Sequence, residues 1–244
     1  TFKFALMCAA VLAMIACQPT NKPSNDGEEE EEEEVVFNSL ISVTDGTDAD
    51  WANVPEEYLA VANCAENPYW EALKSVKVYA DLVYINALVE YDITDFLSLD
   101  SVHLHAYFDV DFDAATGGYA DQWSDADTDI LLEGALYLGN EKMDEYVPSA
   151  HMWIGEIGGA GWYWEPVVAS GVFYSSQWIG ENKLEIKLMR RMITPLWNDE
   201  FFKVGFDLQE SWESMGVLPN LPLDANGMAQ KAEKLTVTID KTEY

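Results

Sequence analysis

Period-two alternation of apolar and polar residues, short apolar runs broken by turn residues, and a near absence of helical periodicity predict an all-β fold. The form they favour is a two-sheet antiparallel β-sandwich, jelly-roll-like, of about ten strands. The chain has 244 residues, 49% hydrophobic and 13% aromatic, enough apolar material for one large core. No internal repeat is visible, and no second domain boundary follows residue 37.

The strands are justified in order. Phe37 to Val43 is a short apolar run that reads as a first strand. Asp45 to Pro55 is rich in turn residues and carries one anchoring tryptophan, Trp51. Tyr58 to Asn63 and Leu73 to Ala80 read as extended. Asp81-Leu82 makes a tight turn into Val83 to Tyr91, where Val83, Ile85, Ala87, Val89 and Tyr91 alternate with polar or outward positions. Val102 to Val110 alternates again: Val102, Leu104, Ala106, Phe108 and Val110 point one way, His103, His105, Tyr107 and Asp109 the other. Ile130 to Leu138 follows as a strand, and the Gly-rich stretch 155–161 is a flexible loop leading into Trp162-Tyr-Trp-Glu165. Gly171 to Ile179 and Lys183 to Leu188 form a hairpin across Gly180-Glu-Asn182. Met189 to Ile193 is a single helical turn, and Phe202 to Leu208 and Leu235 to Ile239 complete the set.

The first 36 residues are different in kind. Lys3 precedes an apolar stretch, Phe4 to Ala16, too short to span a bilayer as a helix; a basic start, an apolar core and a small residue before the cut describe a secretory signal peptide. Met14-Ile-Ala-Cys17 resembles the bacterial lipobox, in which the cysteine becomes lipid-modified and N-terminal. Residues 17–36 then form a lipidated acidic tether: a polar linker followed by Glu28 to Glu34, a like-charge block that should stay extended. Acids placed soon after a lipid cysteine are similar to the export signal of Bacteroidetes surface lipoproteins. The resemblance implies an outer-membrane, lipid-anchored protein facing outward, touching the membrane through its anchor alone.

Net charge is −31, of which residues 1–34 carry −6 and the remainder −25. Such a surface repels nucleic acid and anionic head groups and favours cations and neutral ligands. Of the cysteines, Cys8 and Cys17 belong to the signal region, which leaves Cys64 without an intrachain partner and excludes a disulfide framework.

The densest chemistry lies where the strand 102–110 breaks into Asp109-Val-Asp-Phe-Asp-Ala-Ala-Thr-Gly-Gly118, followed by Asp121, Asp125, Asp127 and Asp129. Asp109, Asp111, Asp113 and Asp129 are candidate ligands for Ca²⁺, a hard cation that takes six to eight oxygens. An EF-hand is excluded, because no glycine stands at the sixth loop position and no helices flank the run. The competing reading is a solvated acidic edge. His103 and His105 share a strand face at a spacing that can chelate Zn²⁺, with His151 or a nearby acid as the third ligand; ordinary cross-strand neighbours are the alternative.

Several of these pieces, in this order, resemble family-nine-like carbohydrate-binding modules, which are β-sandwiches related to DOMON domains. They are Asp45-Gly46 with Asp50-Trp51, the aspartate-rich run 109–118, Asp127-Thr-Asp-Ile-Leu-Leu-Glu-Gly134 and Asn182-Lys-Leu-Glu-Ile186. The resemblance covers most of residues 40–240. It implies a sandwich of two antiparallel sheets, structural calcium, and sugar binding in some members. The acidic insertion and the 155–161 loop depart from the pattern.

Trp153, Trp162, Tyr163, Trp164 and Trp178 fall within a short window, and flat aromatic faces stack on sugar rings. Trp162 and Trp164 would share one strand face. With Trp178 and Trp123 they are the candidate glycan-binding residues; core packing is the competing role. No Ser-centred elbow, phosphate loop or cysteine context points to catalysis. The leading expectation is a non-catalytic polysaccharide- or oligosaccharide-binding surface lipoprotein with residues 37–244 as its β-sandwich domain. A glycoside hydrolase on the same scaffold and a structural or adhesive surface protein are the alternatives.

Overall fold

The computed structural model describes residues 39–113, 115–120, 122–124, 127–168 and 171–242. The signal peptide, the acidic tether with Cys17, and the acids Asp121 and Asp125 lie outside the described residues.

Thirteen strands carry the fold. The first group is β1 (Ala60–Asn63), β2 (Leu73–Asp81), β3 (Tyr84–Tyr91), β4 (Ser101–Asp109) and β5 (Ile130–Leu138). Then come β6 (Glu141–Lys142), β7 (Ser149–Trp153), β8 (Trp164–Pro166), β9 (Tyr174–Ile179) and β10 (Lys183–Met189). A single turn of helix, α1 (Arg190–Ile193), precedes β11 (Phe201–Glu210), β12 (Glu213–Leu218) and β13 (Leu235–Asp240). The all-β expectation holds, with thirteen strands against about ten. The additional ones, β6, β7, β8 and β12, are short or belong to edges, where alternation is weakest.

The strands lie in the order β8-β7-β5-β4-β11-β13-β2-β3-β10-β9, with β6 beside β5, β12 beside β11 and β1 beside β2. β13 is the corner. Its first residues pair antiparallel with β11, and its last, Ile239 and Asp240, pair with β2 in parallel. Thus one pair departs from the antiparallel expectation, because a strand that passes between layers meets each at a different angle.

Two layers result. Val102, Leu104, Ala106 and Phe108 of β4, Ile130 and Leu132 of β5, and Val204, Phe206 and Leu208 of β11 form one wall of the core. Val76 and Val78 of β2, Ile85, Ala87 and Val89 of β3, and Leu184, Ile186 and Leu188 of β10 form the other. These are the alternating positions, so period two decided which side chains meet. The packing leaves a central gap of only about 10 Å³ between the walls, the size of one water probe.

Both outer faces are partly covered. Residues 39–59 wrap the outside of β2 and β3, burying Ile41, Val43 and Trp51 with Tyr79 and Leu88. The expected first strand is therefore a loop over its described part, 39–43: apolar because it is a cover, not because it pairs. Trp51 also donates Nε1–H to Glu185 Oε1 at 2.5 Å, which ties this wrap to β10. On the opposite layer, Trp123, Ala120, Leu221 and Ala232 pack against Tyr107 and Leu131. That cover explains why the polar face of β4 is not solvated: His105 is 2% exposed and Asp109 0%.

Candidate functional site

The acidic loop grows directly out of β4. Asp109 ends the strand, and Phe112, held at φ +59°, turns the chain away. Asp109 Oδ1 accepts the Phe112 N–H at 2.7 Å, and Asp129, just before β5, accepts the Val110 N–H at 2.9 Å. Asp111 Oδ1 accepts from Thr116 Oγ1 at 3.1 Å and from the Asp113 N–H at 2.9 Å. The result is a pocket in which carboxylate oxygens of Asp109, Asp111 and Asp129 all lie within 4.8 Å of one another.

Asp113 is not part of this cluster. The expectation that it joins Asp109 and Asp111 required the chain to stay extended, and the turn at Phe112 ends that extension. Asp113 is exposed and caps Ala115 instead, at 2.9 Å. Asp129, nineteen residues after Val110 in sequence, takes its place because β5 pairs with β4.

The cluster is short of positive charge. Lys203 Nζ lies 3.4 Å from Asp109 Oδ2 and 3.2 Å from Asp127 Oδ2, while Lys234 Nζ lies 3.1 Å from Asp127 Oδ1. Among the described residues, two ammonium groups thus face four carboxylates, leaving −2 when all are ionised. Burial pushes Asp129 up to about 6, and burial together with the neighbouring Asp127 raises Asp109. A divalent cation would cancel that residual charge. Beside the cluster is a cavity of about 140 Å³ lined by Asp111, Thr116, Asp129, Trp153, Thr194 and Leu196.

The acidic loop is tied to the Gly-rich loop. Gly158 donates to Gly117 O at 3.0 Å, and Tyr119 donates to Gly159 O at 2.8 Å. Trp153 is the post between them: its Nε1–H donates to Glu156 O at 3.1 Å, and Gly118 and Gly155 lie against its ring. The expected flexible loop is therefore anchored; sequence reasoning missed Thr116, and it read Trp153 only as one of the clustered aromatics and not as the post between the loops. Gly118, Gly155 and Gly159 around one tryptophan were the available signal.

The candidate tryptophans separate into different roles. Trp162 is 65% exposed and Tyr163 54% exposed, both at the far end of the Gly-rich loop. Trp164 is half-buried, edge-on to Trp153 with centroids 5.2 Å apart. β8 begins only at Trp164, so alternation does not put Trp162 on its face. Trp178 is half-buried: it donates Nε1–H to Met143 O at 3.0 Å, lies edge-on to Tyr91, and carries Lys142 Nζ over its ring. Trp123 is 0% exposed and belongs to the core, a correction to its candidacy as a sugar platform. Its ring fills the space above Gly205, where a Cβ would come within 2.3 Å of it. The sequence around Trp123 is acidic, but the bridge from Trp123 to Ala232 folds the ring inward.

Compared with protein-family models, curated proteins and solved structures, the chain matches none.

Proposed function

We propose that the chain is a surface lipoprotein of the outer membrane, anchored through Cys17, whose β-sandwich binds a glycan without catalysis while calcium braces the binding loop. The observation that carries this reading is the continuity from acid cluster to exposed rings. Asp109, Asp111 and Asp129 shape the loop 111–118, that loop is hydrogen-bonded to 155–161, and the second loop presents Trp162 and Tyr163 to solvent. Large exposed aromatics beside an anchored loop suit stacking on a sugar ring. The likeness to family-nine-like carbohydrate-binding modules supports the same reading, as does the surface charge of −25, which disfavours sulfated or uronic ligands and leaves neutral polysaccharides.

The test is affinity for a panel of neutral polysaccharides, measured with Ca²⁺ and with chelator, with the products inspected for cleavage. Removing the Trp162 ring should weaken binding by about 1–3 kcal/mol with melting unchanged. Asp111→Asn should abolish the rise of melting temperature with Ca²⁺, which at a hundredfold excess over the dissociation constant corresponds to about 2.7 kcal/mol. Trp162→Ala binding every polysaccharide as the parent does would remove the loop from recognition. Products shorter than the substrate would replace binding by hydrolysis.

A further inference from the structure

The three histidines of the chain stand on one sheet face, His103 and His105 on β4 and His151 on β7 with β5 between them, away from the acid cluster. His105 on β4 is directly opposite Glu133 on β5. On the other side of β5, His151 of β7 is opposite Leu131, one step along the same face. Glu133 therefore stands between two imidazoles: Oε2 is 3.7 Å from His105 Nε2, and Oε1 is 3.3 Å from His151 Nε2. His103 lies beside them under Trp212, whose ring stacks on it at 4.6 Å.

The interior pair is unusual. His105 Nε2 and Glu133 Oε2 are both buried, and neither has a hydrogen-bond partner among the described residues. Their separation is too long for a hydrogen bond. His105 Nδ1 is 3.3 Å from the Tyr107 hydroxyl. If Nδ1–H donates to that oxygen, Nε2 presents its lone pair to Glu133. Two acceptors then face each other in a dry place, which is unfavourable unless a cation sits between them.

We propose that His105, Glu133 and His151 bind a divalent transition metal of the Zn²⁺ type, at a site separate from the calcium cluster. Tetrahedral bonds of about 2.0–2.1 Å place neighbouring donor atoms roughly 3.3 Å apart. The observed 3.7 and 3.3 Å run to different oxygens of Glu133, and the three donor atoms do not yet lie within 4.8 Å of one another, so binding needs a side-chain rotation. Two imidazoles with one carboxylate suit Zn²⁺, whereas Ca²⁺ requires an all-oxygen shell. The two rings face different oxygens of Glu133. The ion therefore takes His105 Nε2 and Glu133 Oε2 first. His151, 15% exposed, turns in as the third ligand and gives up its 3.0 Å contact with Ser149 Oγ. Trp212, 60% exposed, has its ring stacked on His103 and its centroid 6.2 Å from that of His105.

The experiment uses untagged protein saturated with Ca²⁺, so that the acid cluster is occupied, and titrates Zn²⁺ alone by calorimetry. Co²⁺ is added separately for its visible spectrum. The expected result is one Zn²⁺ per chain, a higher melting temperature, and intense Co²⁺ bands of a four-coordinate nitrogen-containing site. His151→Ala and Glu133→Gln should each weaken Zn²⁺ by about tenfold or more. His151 is near the surface, so His151→Ala should melt as the metal-free parent does, which keeps the test open if Glu133→Gln fails to fold. Absence of Zn²⁺ uptake by the parent, uptake unchanged by His151→Ala, or only the weak Co²⁺ bands of an oxygen shell would each overturn the proposal.

Discussion

At the scale of single residues, the sharpest electrostatic feature is Lys234, whose side chain is fully buried with Asp127 as its counter-charge. Burial pushes Asp127 up, but the ammonium groups of Lys234 and Lys203 outweigh it and hold the carboxyl below its ordinary value. A carboxyl depressed in the folded state adds stability above the unfolded value of about 4 and loses it as pH falls through the folded value. Asp127→Asn breaks the buried Lys234–Asp127 pair and the Lys203 contact with the same carboxylate. Chemical denaturation at neutral pH should show a loss of about 3–5 kcal/mol, and the acid limb below pH ~4 should flatten. Full stability in Asp127→Asn would mean that the Asp127 charge does not stabilise the fold. Two tryptophans make the matching contrast. Trp123→Ala should destabilise by about 3–5 kcal/mol, as for a filled core position, while Trp162→Ala should leave melting where it was. Equal melting of the two variants would contradict their burial.

Between residue and fold stands the loop pair built on Trp153. Gly118 and Gly155 both lie against the Cε2–Cζ2 region of that ring, and a Cβ on them would come within 2.3 and 2.4 Å respectively. Neither contact is with the end of a flexible chain, so Trp153 itself must move. Gly155→Ala should destabilise by about 1–3 kcal/mol through overpacking, and it should also weaken Ca²⁺, because Trp153 borders the cavity beside the acid cluster. Gly139→Ala is the control: nothing lies within 4 Å of its Cβ, and only its φ of +60° opposes the change. It should cost about 1 kcal/mol with no effect on Ca²⁺. A calcium affinity untouched by Gly155→Ala would uncouple the two loops.

For the whole molecule, the proposals concern placement and reach. If Cys17 carries the lipid, Cys17→Ser protein should leave the membrane fraction and appear soluble; co-sedimentation with membranes as before would remove the anchor. No helix among the described residues is long and apolar enough to cross a bilayer. Recognition by stacking should change little between low and moderate salt, because a neutral sugar carries no net charge for the surface of −25 to attract or repel. A steep salt dependence would point to charged ligands instead.

Much of the fold was legible because alternation is a local property. The inward positions of β4, the hairpin closed by Asp81, and the β9–β10 hairpin around Gly180 follow from which residues lie two apart. The all-β class and the acidic strand end follow in the same way. What lies across strands was not legible. The sequence grouped Asp113 with Asp109, Asp111 and Asp129, and the turn at Phe112 takes Asp113 out of that group. It placed Trp123 in an acidic loop, and the bridge to Ala232 carried its ring into the core. It paired His103 with His105 and offered His151 or a nearby acid as a third group, while strand register sets His105 and His151 on either side of Glu133. Periodicity fixes the face on which a side chain stands, because successive residues of a strand alternate. Which other strand lies beside it, and what covers that face, depend on pairings between segments far apart in the chain, and only the tertiary structure decides them.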